Sequence, residues 1–394
     1  MGFLSGTTTF SRYRISNDHT GAFGEEHLQN LTDRAFKLDL SQLIESAQIG
    51  FTAGTHLFDT QFELEKNIIG DALHFSIRTD CLSVPGPIKN AWMKIELAGI
   101  MGDHKTGRPS KSQNEEAKEA VEARCQAEAA NGKFIRSSET AALWDAATDT
   151  LFLSSNSEKG NDSCLDLIQQ AFGLEFEPLT PSKLAMEWAD ESKQLKSLYE
   201  SQPTPWHPQR SDSQIVWWNG MGDNYDYLGN EFLLWLWYRW ETAGDTIQLS
   251  DDSEVTGMFS RSLTLDCPWG EHGKESITAE CPVALPEAEI AIRMGKLPRK
   301  AGLTLIRNNE QYDFSLQAES FGVSGGKISL PGIETGQSRE LTDRIESIRQ
   351  FADSIDFLFE TFCQVRIGSS WKAESKQITQ WLQSEKQTRV RPAA

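Results

Sequence analysis

The residues of this sequence best placed to do chemistry are clustered lysines and arginines, whose chemistry is the binding of phosphate. Four cations, Arg293, Lys296, Arg299 and Lys300, fall within eight residues around a glycine and a proline. Complementing a helix dipole accounts for one or two such charges, not four. The cluster therefore predicts a surface that contacts the phosphates of a nucleic acid.

A second basic group surrounds a phenylalanine. Arg108 and Lys111 lie in a polar connector, and Lys133 and Arg136 flank Phe134 at a turn. An exposed phenylalanine between two cations stacks on nucleic acid or fills an apolar pocket in a partner. The alternative is a core phenylalanine with solvated charges on both sides, and the sequence leaves both interpretations open.

Motifs for other chemistries do not occur. The glycines near Gly270 and Gly325 lack the spacing of a phosphate-binding loop, the seven histidines never fall at the i, i+4 spacing of a zinc helix, and no nucleophile elbow is present. The acidic pairs Asp223/Asp226 and Asp251/Asp252 are typical of acidic loops. We therefore predict no catalytic residue, no metal ligand and no cofactor, although scattered carboxylates leave a two-metal nuclease possible.

The charge balance is acidic on average and basic locally. The formal net charge is −19, from 38 Lys and Arg against 57 Asp and Glu. Between residues 78 and 136, however, 10 basic residues minus 8 acidic residues give +2, and residues 293–307 carry five basic residues and no acid. This pattern permits a basic cavity inside an acidic exterior. Six scattered cysteines without a CxxC pair, and no long apolar run, favour a reduced cytoplasmic protein without a membrane partner.

The elements that would position these cations indicate an α+β fold. Period-two segments predict strands at 9–15, 73–78, 141–146, 150–154, 303–307 and 312–318, the last two joined by Asn308-Asn309. Helices are predicted at 28–36, 88–97, 114–130, 162–173 and 229–241. The segment 229–241 is apolar on nearly every side, which favours a buried helix over a partner groove.

A closing helix carries an apolar stripe with heptad spacing. Its members include Ile345, Ile348 and Ile355, which recur at alternating steps of three and four residues. The stripe predicts a helix packed on its own core, and a contact between subunits is the alternative.

The order of several motifs resembles the family of the recombination-associated protein RdgC. They are Val84-Pro85-Gly86-Pro87-Ile88-Lys89, Gly107-Arg108-Pro109-Ser110-Lys111, Phe134-Ile135-Arg136-Ser137-Ser138, Leu143-Trp144-Asp145 and the run Phe176 to Trp188. The resemblance covers roughly residues 1–190 and 275–365. It implies a multi-domain, horseshoe-shaped subunit with mainly antiparallel sheets that pairs into a ring-shaped homodimer.

The resemblance also implies a function and a set of site residues. The ring would encircle double-stranded DNA without sequence preference and modulate a RecA-type recombinase indirectly, in the cytoplasm and associated with the nucleoid. Together with the basic clusters, this predicts contacts to DNA by Lys89, Arg108, Lys111, Lys133, Arg136, Arg293, Lys296, Arg299 and Lys300. The predicted dimer contacts are Phe134, from the resemblance, and Ile345, Ile348 and Ile355, from the alternative interpretation of the stripe.

One segment lies outside the resemblance. Residues 200–260 are acidic and hold six of the twelve tryptophans, so they are interpreted as an insertion. The predicted organisation is an N-terminal base region, a helical finger region, a compact β-β-α-β unit, the insertion, a C-terminal α+β region and a tail, at 1–80, 81–140, 141–199, 200–260, 261–365 and 366–394. Two other functions stay open: a divalent-metal exonuclease, and a protein-interaction module that uses the insertion and never contacts DNA.

Overall fold

A computed structural model describes residues 2–16, 22–43, 46–102, 108–207, 215–218, 220, 222, 224–329 and 340–384. The helices within them are α1 (Glu25–Asp33), α2 (Leu40–Leu43), α3 (Leu64–Asn67), α4 (Gly86–Met101), α5 (Lys111–Ala130), α6 (Glu158–Phe172), α7 (Pro181–Glu191), α8 (Leu195–Tyr199), α9 (Tyr227–Thr242), α10 (Pro286–Arg293), α11 (Leu341–Arg366) and α12 (Trp371–Gln383). The strands are β1 (Thr8–Ile15), β2 (Gln48–Thr52), β3 (Ile68–Ile69), β4 (Ala72–Leu82), β5 (Ile135–Asp145), β6 (Thr150–Leu153), β7 (Phe176–Pro178), β8 (Thr246–Gln248), β9 (Glu254–Asp266), β10 (Glu275–Thr278), β11 (Leu297–Arg307), β12 (Glu310–Gln317) and β13 (Val323–Ser329). The predicted α+β class with mainly antiparallel strands is confirmed.

The chain forms two compact units, and both are discontinuous in sequence. The larger unit contains Met1–Thr20, Leu143–Glu158 and Glu175–Ala394, and the smaller unit contains Gly21–Ala142 and Lys159–Leu174. Helix α6 thus lies almost wholly in the smaller unit, whereas β6 and β7 lie in the larger one. The β-β-α-β segment expected to be one compact unit is therefore divided between the two.

The larger unit is built on an antiparallel sheet with the strand order β10-β9-β11-β12-β13-β1-β6. The hairpin β11–β12 turns at Asn308 and Asn309, both with positive φ, as the Asn-Asn pair predicts. Helix α11 covers one face of this sheet, since the Phe351 ring contacts Phe10 of β1 and Phe314 of β12.

The stripe of α11 belongs to the core of the larger unit. Ile345, Ile348 and Ile355 are at most 2% exposed within the single chain. No second subunit can reach them without unfolding this packing, so their assignment as dimer contacts is corrected to core residues.

The tryptophan-rich segment is also part of the core. Every residue of α9 from Tyr227 to Tyr238 is buried, and Phe232 contacts the rings of Phe321 and Phe359. A β-carbon at Gly229 would lie 1.8 Å from the Ala318 carbonyl oxygen, so helix and hairpin touch through backbone. The buried-helix prediction is confirmed, and the interpretation of residues 200–260 as an insertion stays a prediction.

The smaller unit holds the finger region. Its strands pair in the order β5-β4-β2, with β3 beside β4, and α4 packs against α5. Helix α5 begins at a capping box, because Ser110 Oγ accepts from the Gln113 amide while the Gln113 side chain accepts from the Ser110 amide. Residues 103–107 of the predicted connector lie outside the described residues.

Candidate nucleic-acid interface

The basic turn after α10 is largely neutralised by the chain's own carboxylates. Arg293, in the last turn of α10, lies 2.5 Å from the Glu289 carboxylate one turn earlier and also donates to the Ser384 carbonyl. Because Arg293 is half-buried and already bonded on two sides, its charge is committed within the larger unit.

Lys296 and Arg299 are committed more strongly. Lys296 is 3% exposed, and its Nζ donates to Glu275 at 2.5 Å and to the Gly273 carbonyl at 2.7 Å. Arg299 Nε donates to Glu319 at 2.8 Å, and the guanidinium lies 4.5 Å from the Trp217 ring centroid. Lys296 is therefore corrected from a phosphate contact to a buried ion-pair residue, and Arg299 has little charge left for a ligand.

Lys300 differs from its three neighbours. It is half-exposed on β11, opposite Thr264 of β9 and Gln317 of β12, and it makes no ion pair within the described ranges. Since side chains alternate along a strand, Thr304 and Ile306 share its face. This face of the sheet carries hydroxyl and amide side chains near Lys300, and also Asp313, which accepts from Thr304 Oγ1 at 2.7 Å.

The finger region contributes cations that also lack carboxylate partners. Lys89 on α4, Arg108 before α5 and Lys111 at the start of α5 are exposed, and none forms an ion pair in the part of the chain that the structure describes. Lys118, two turns further along α5, is exposed too but lies 3.1 Å from Glu115. Lys111 and Lys118 thus form a matched pair on one helix, one cation uncommitted and one compensated.

The turn between α5 and β5 separates its two cations. Lys133 lies 2.5 Å from Glu128, and this hydrogen bond lowers the pKa of the Glu128 carboxyl. Arg136, two residues beyond Phe134, is exposed on β5 and has no ion pair among the described residues. Of the two, Arg136 is the cation available to a phosphate.

Phe134 has partners within its own chain. It is half-buried, its ring lies edge-on to Trp92 of α4 with 6.0 Å between centroids, and the Arg124 guanidinium is 4.7 Å from the Trp92 ring centroid. Its φ of 64° is unusual for a bulky residue, and its carbonyl accepts from the Ser83 amide at 3.0 Å. Phe134 is thus neither fully exposed nor a core residue, and its role as a dimer contact stays a prediction.

Helix α4 leaves part of its apolar surface uncovered. Trp92 is its one buried residue, its other large apolar residues are half-buried, and Ile95 is 59% exposed. Incomplete burial of these side chains forgoes part of the stabilisation that full burial would provide. This surface is typical of one that another protein surface covers.

Ion pairs that the sequence analysis missed lie between β1 and the helices of the larger unit. Arg12 binds both carboxylate oxygens of Asp356 at 2.6 Å. Asp353, one turn earlier on α11, is not bonded to Arg12; burial and then the Asp356 charge raise the pKa of Asp353 to about 6. Side chains alternate between the two faces of β1, and this alternation places Arg12 on the inward face. A buried cation needs a carboxylate partner, so the alternation is the signal that could have predicted this pair.

The acidic pairs considered for a nuclease have other partners. Asp251 pairs with Arg307, and Asp226 accepts from the Ser182 amide at 3.1 Å. Asp223 lies outside the described residues. Within the described ranges, no group of three or more His, Cys, Asp or Glu side chains could hold a metal ion.

No family model matches the chain, and no curated protein matches it. Among the described helices, none combines the length and apolar character needed to cross a membrane.

Proposed function

We propose that this protein binds double-stranded DNA without sequence preference and does so as a homodimer that encloses the duplex. The resemblance to the RdgC family suggests this function. The observation that carries it is a set of cations that make no ion pair within the described ranges: Lys89, Arg108, Lys111 and Arg136, which are exposed, and Lys300, which is half-exposed.

These five cations differ from their neighbours in having no carboxylate partner within the described ranges. In a chain of 57 acidic and 38 basic residues, Lys118, Lys133, Lys296 and Arg299 are each paired with a carboxylate. A cation that stays unpaired in such a chain keeps its full charge for an anionic ligand. Phosphates of a nucleic acid are the ligand class that such charges serve, and contacts to phosphate carry no sequence information.

Self-association is the second part of the proposal. The partly uncovered apolar surface of α4 supports it, and Phe134 contacts the same helix through the ring of Trp92. A two-fold axis would use this surface twice, as an isologous interface does. Enclosure of the duplex would restrict the access of a RecA-type recombinase to DNA.

Fluorescence anisotropy with two unrelated duplexes over a range of NaCl concentrations tests DNA binding. We expect equal affinity for both duplexes and a steep loss of affinity with salt. Lys111→Ala should lower the slope of log K against log salt by about 0.9, the value for one lost phosphate contact. Lys118→Ala, on the same helix, should leave affinity and slope unchanged.

Two outcomes would contradict the proposal. One is the absence of binding to either duplex at low salt. The other is an equal effect of the Lys111 and Lys118 substitutions, which would show that the absence of a carboxylate partner does not decide which lysine binds DNA. Incubating end-labelled duplex with Mg²⁺ or Mn²⁺ in the same series distinguishes the exonuclease alternative, which predicts that the duplex shortens.

A further inference from the structure

The first half of β5 is an exposed edge of the sheet in the smaller unit. Residues 136–139 are exposed and the flanking residues 135 and 140 are half-exposed, whereas residues 141–145 are buried. Strand β6 has four residues and follows the turn at 146–149, so an antiparallel pairing carries it back only to about residue 142. Residues 135–140 therefore pair with β4 on one side and extend beyond the reach of β6 on the other.

The backbone groups of successive residues point alternately to the two sides of a strand, and this alternation identifies those on the open edge of β5. The Phe134 carbonyl accepts from Ser83, next to the end of β4, so the backbone groups of even-numbered residues face β4. The amide and carbonyl groups of Ile135, Ser137 and Glu139 then face away from β4. Such a row of unpaired donors and acceptors is a template for another strand.

The side chains of this edge permit a second copy of the same strand. Residues 135–140 contain one cation, Arg136, and one anion, Glu139, so the segment is neutral in a chain whose net charge is −19. Most of the surface of such a chain repels its own copy, and a neutral edge does not. The two serines at the middle of the segment are small and uncharged, so they allow close approach of two strands.

We propose that two copies of this protein pair along β5 in antiparallel fashion, with the two Ser137 residues opposite each other. In this register Arg136 lies opposite the partner's Ser138, and no like charges face each other. A shift that centres the pair on Arg136 would oppose two cations and is disfavoured. The inference rests on the proposed self-association and specifies its interface as a continuous sheet.

Sedimentation velocity over a range of concentrations tests the pairing with Ser137→Pro. Proline removes the outward amide, and an edge strand tolerates it because that amide faces away from β4. We expect association at least tenfold weaker than wild type with an unchanged circular dichroism spectrum. Ser137→Ala keeps the amide and should associate like wild type. Unchanged association of the proline variant would overturn the proposal, as would a wild-type chain that stays monomeric.

Cysteine crosslinking tests the register independently of folding. Opposed residues of a hydrogen-bonded antiparallel pair lie about 5.5 Å apart at Cα, within the range of a disulfide. Ser137→Cys should therefore form a covalent dimer under mild oxidation. Ser138→Cys should not, because the diagonal separation of about 7–8 Å is too long. Equal crosslinking of both variants, or of the wild-type chain with its native cysteines, would refute the register.

The DNA experiment separates this inference from the proposed function. If the proline variant remains dimeric while wild type binds DNA, the interface is wrong and DNA binding stands. If wild type dimerises through β5 and binds neither duplex, the interface stands and the proposed function fails.

Discussion

Replacement of Arg366 probes the most deeply buried ion pair of the larger unit. The side chains of Arg366 and Glu231 are 5% and 1% exposed, and Arg366 Nε lies 2.5 Å from Glu231. Arg366 also donates to the Gln202 carbonyl at 2.7 Å, and the second Glu231 oxygen accepts from the Thr204 amide at 2.6 Å. Burial alone would lower the pKa of Arg366, but Glu231 raises it above its ordinary value, so Arg366 keeps its positive charge.

The expected loss of stability follows from the carboxylate that loses its partner. Arg366→Met keeps most of the apolar volume and leaves the Glu231 carboxylate buried with one amide donor. Loss of one partner of a buried pair costs about 3–5 kcal/mol of the free energy of unfolding. The double variant Arg366→Met/Glu231→Leu removes both charges, so it should be no less stable than Arg366→Met alone.

Urea unfolding followed by tryptophan fluorescence measures these changes. Eleven of the twelve tryptophans lie in the larger unit, and Trp92 is the exception, so the signal reports on the unit that holds the pair. A loss below about 1 kcal/mol for Arg366→Met would refute the reasoning, because that is the scale of an exposed pair. Additive losses in the double variant would also refute it, since coupled charges give non-additive changes.

Three further predictions concern single residues. Ile348→Ala should lower the free energy of unfolding by about 2–5 kcal/mol, measured by urea unfolding, whereas weakened self-association at unchanged stability would restore the interface interpretation. Burial lowers the pKa of His74 to about 4 from an ordinary 6.5, so its contribution to the free energy of unfolding is full above pH 6.5 and falls as the pH drops toward 4. His74→Gln should therefore reduce the loss of stability over that pH range by about 3 kcal/mol. An unchanged pH profile of unfolding would contradict this. Burial and Asp356 raise the pKa of Asp353 to about 6 from 3.8, so the folded state loses stability as the pH rises through 6, and Asp353→Asn should stabilise the protein at pH 8 but not at pH 4 in thermal melts.

The sequence by itself determined most of the local structure. Alternation predicted β1, the Asn308-Asn309 pair predicted the β11–β12 hairpin, and heptad spacing predicted α11. These features depend on the residues of one segment and on the periods of helix and strand, so no distant residue is needed to infer them. The burial of α9 followed in the same way from apolar residues on all its sides.

Only the tertiary structure decided which charges remain available and which surfaces stay open. Four cations in eight residues predicted a phosphate surface, but Glu275 and Glu319 come from distant strands and loops to neutralise Lys296 and Arg299. Whether a carboxylate neutralises a cation depends on the distance between them in the folded chain, and the sequence does not contain that distance. The same reason applies to the open edge of β5, which exists because β6 is too short to cover it.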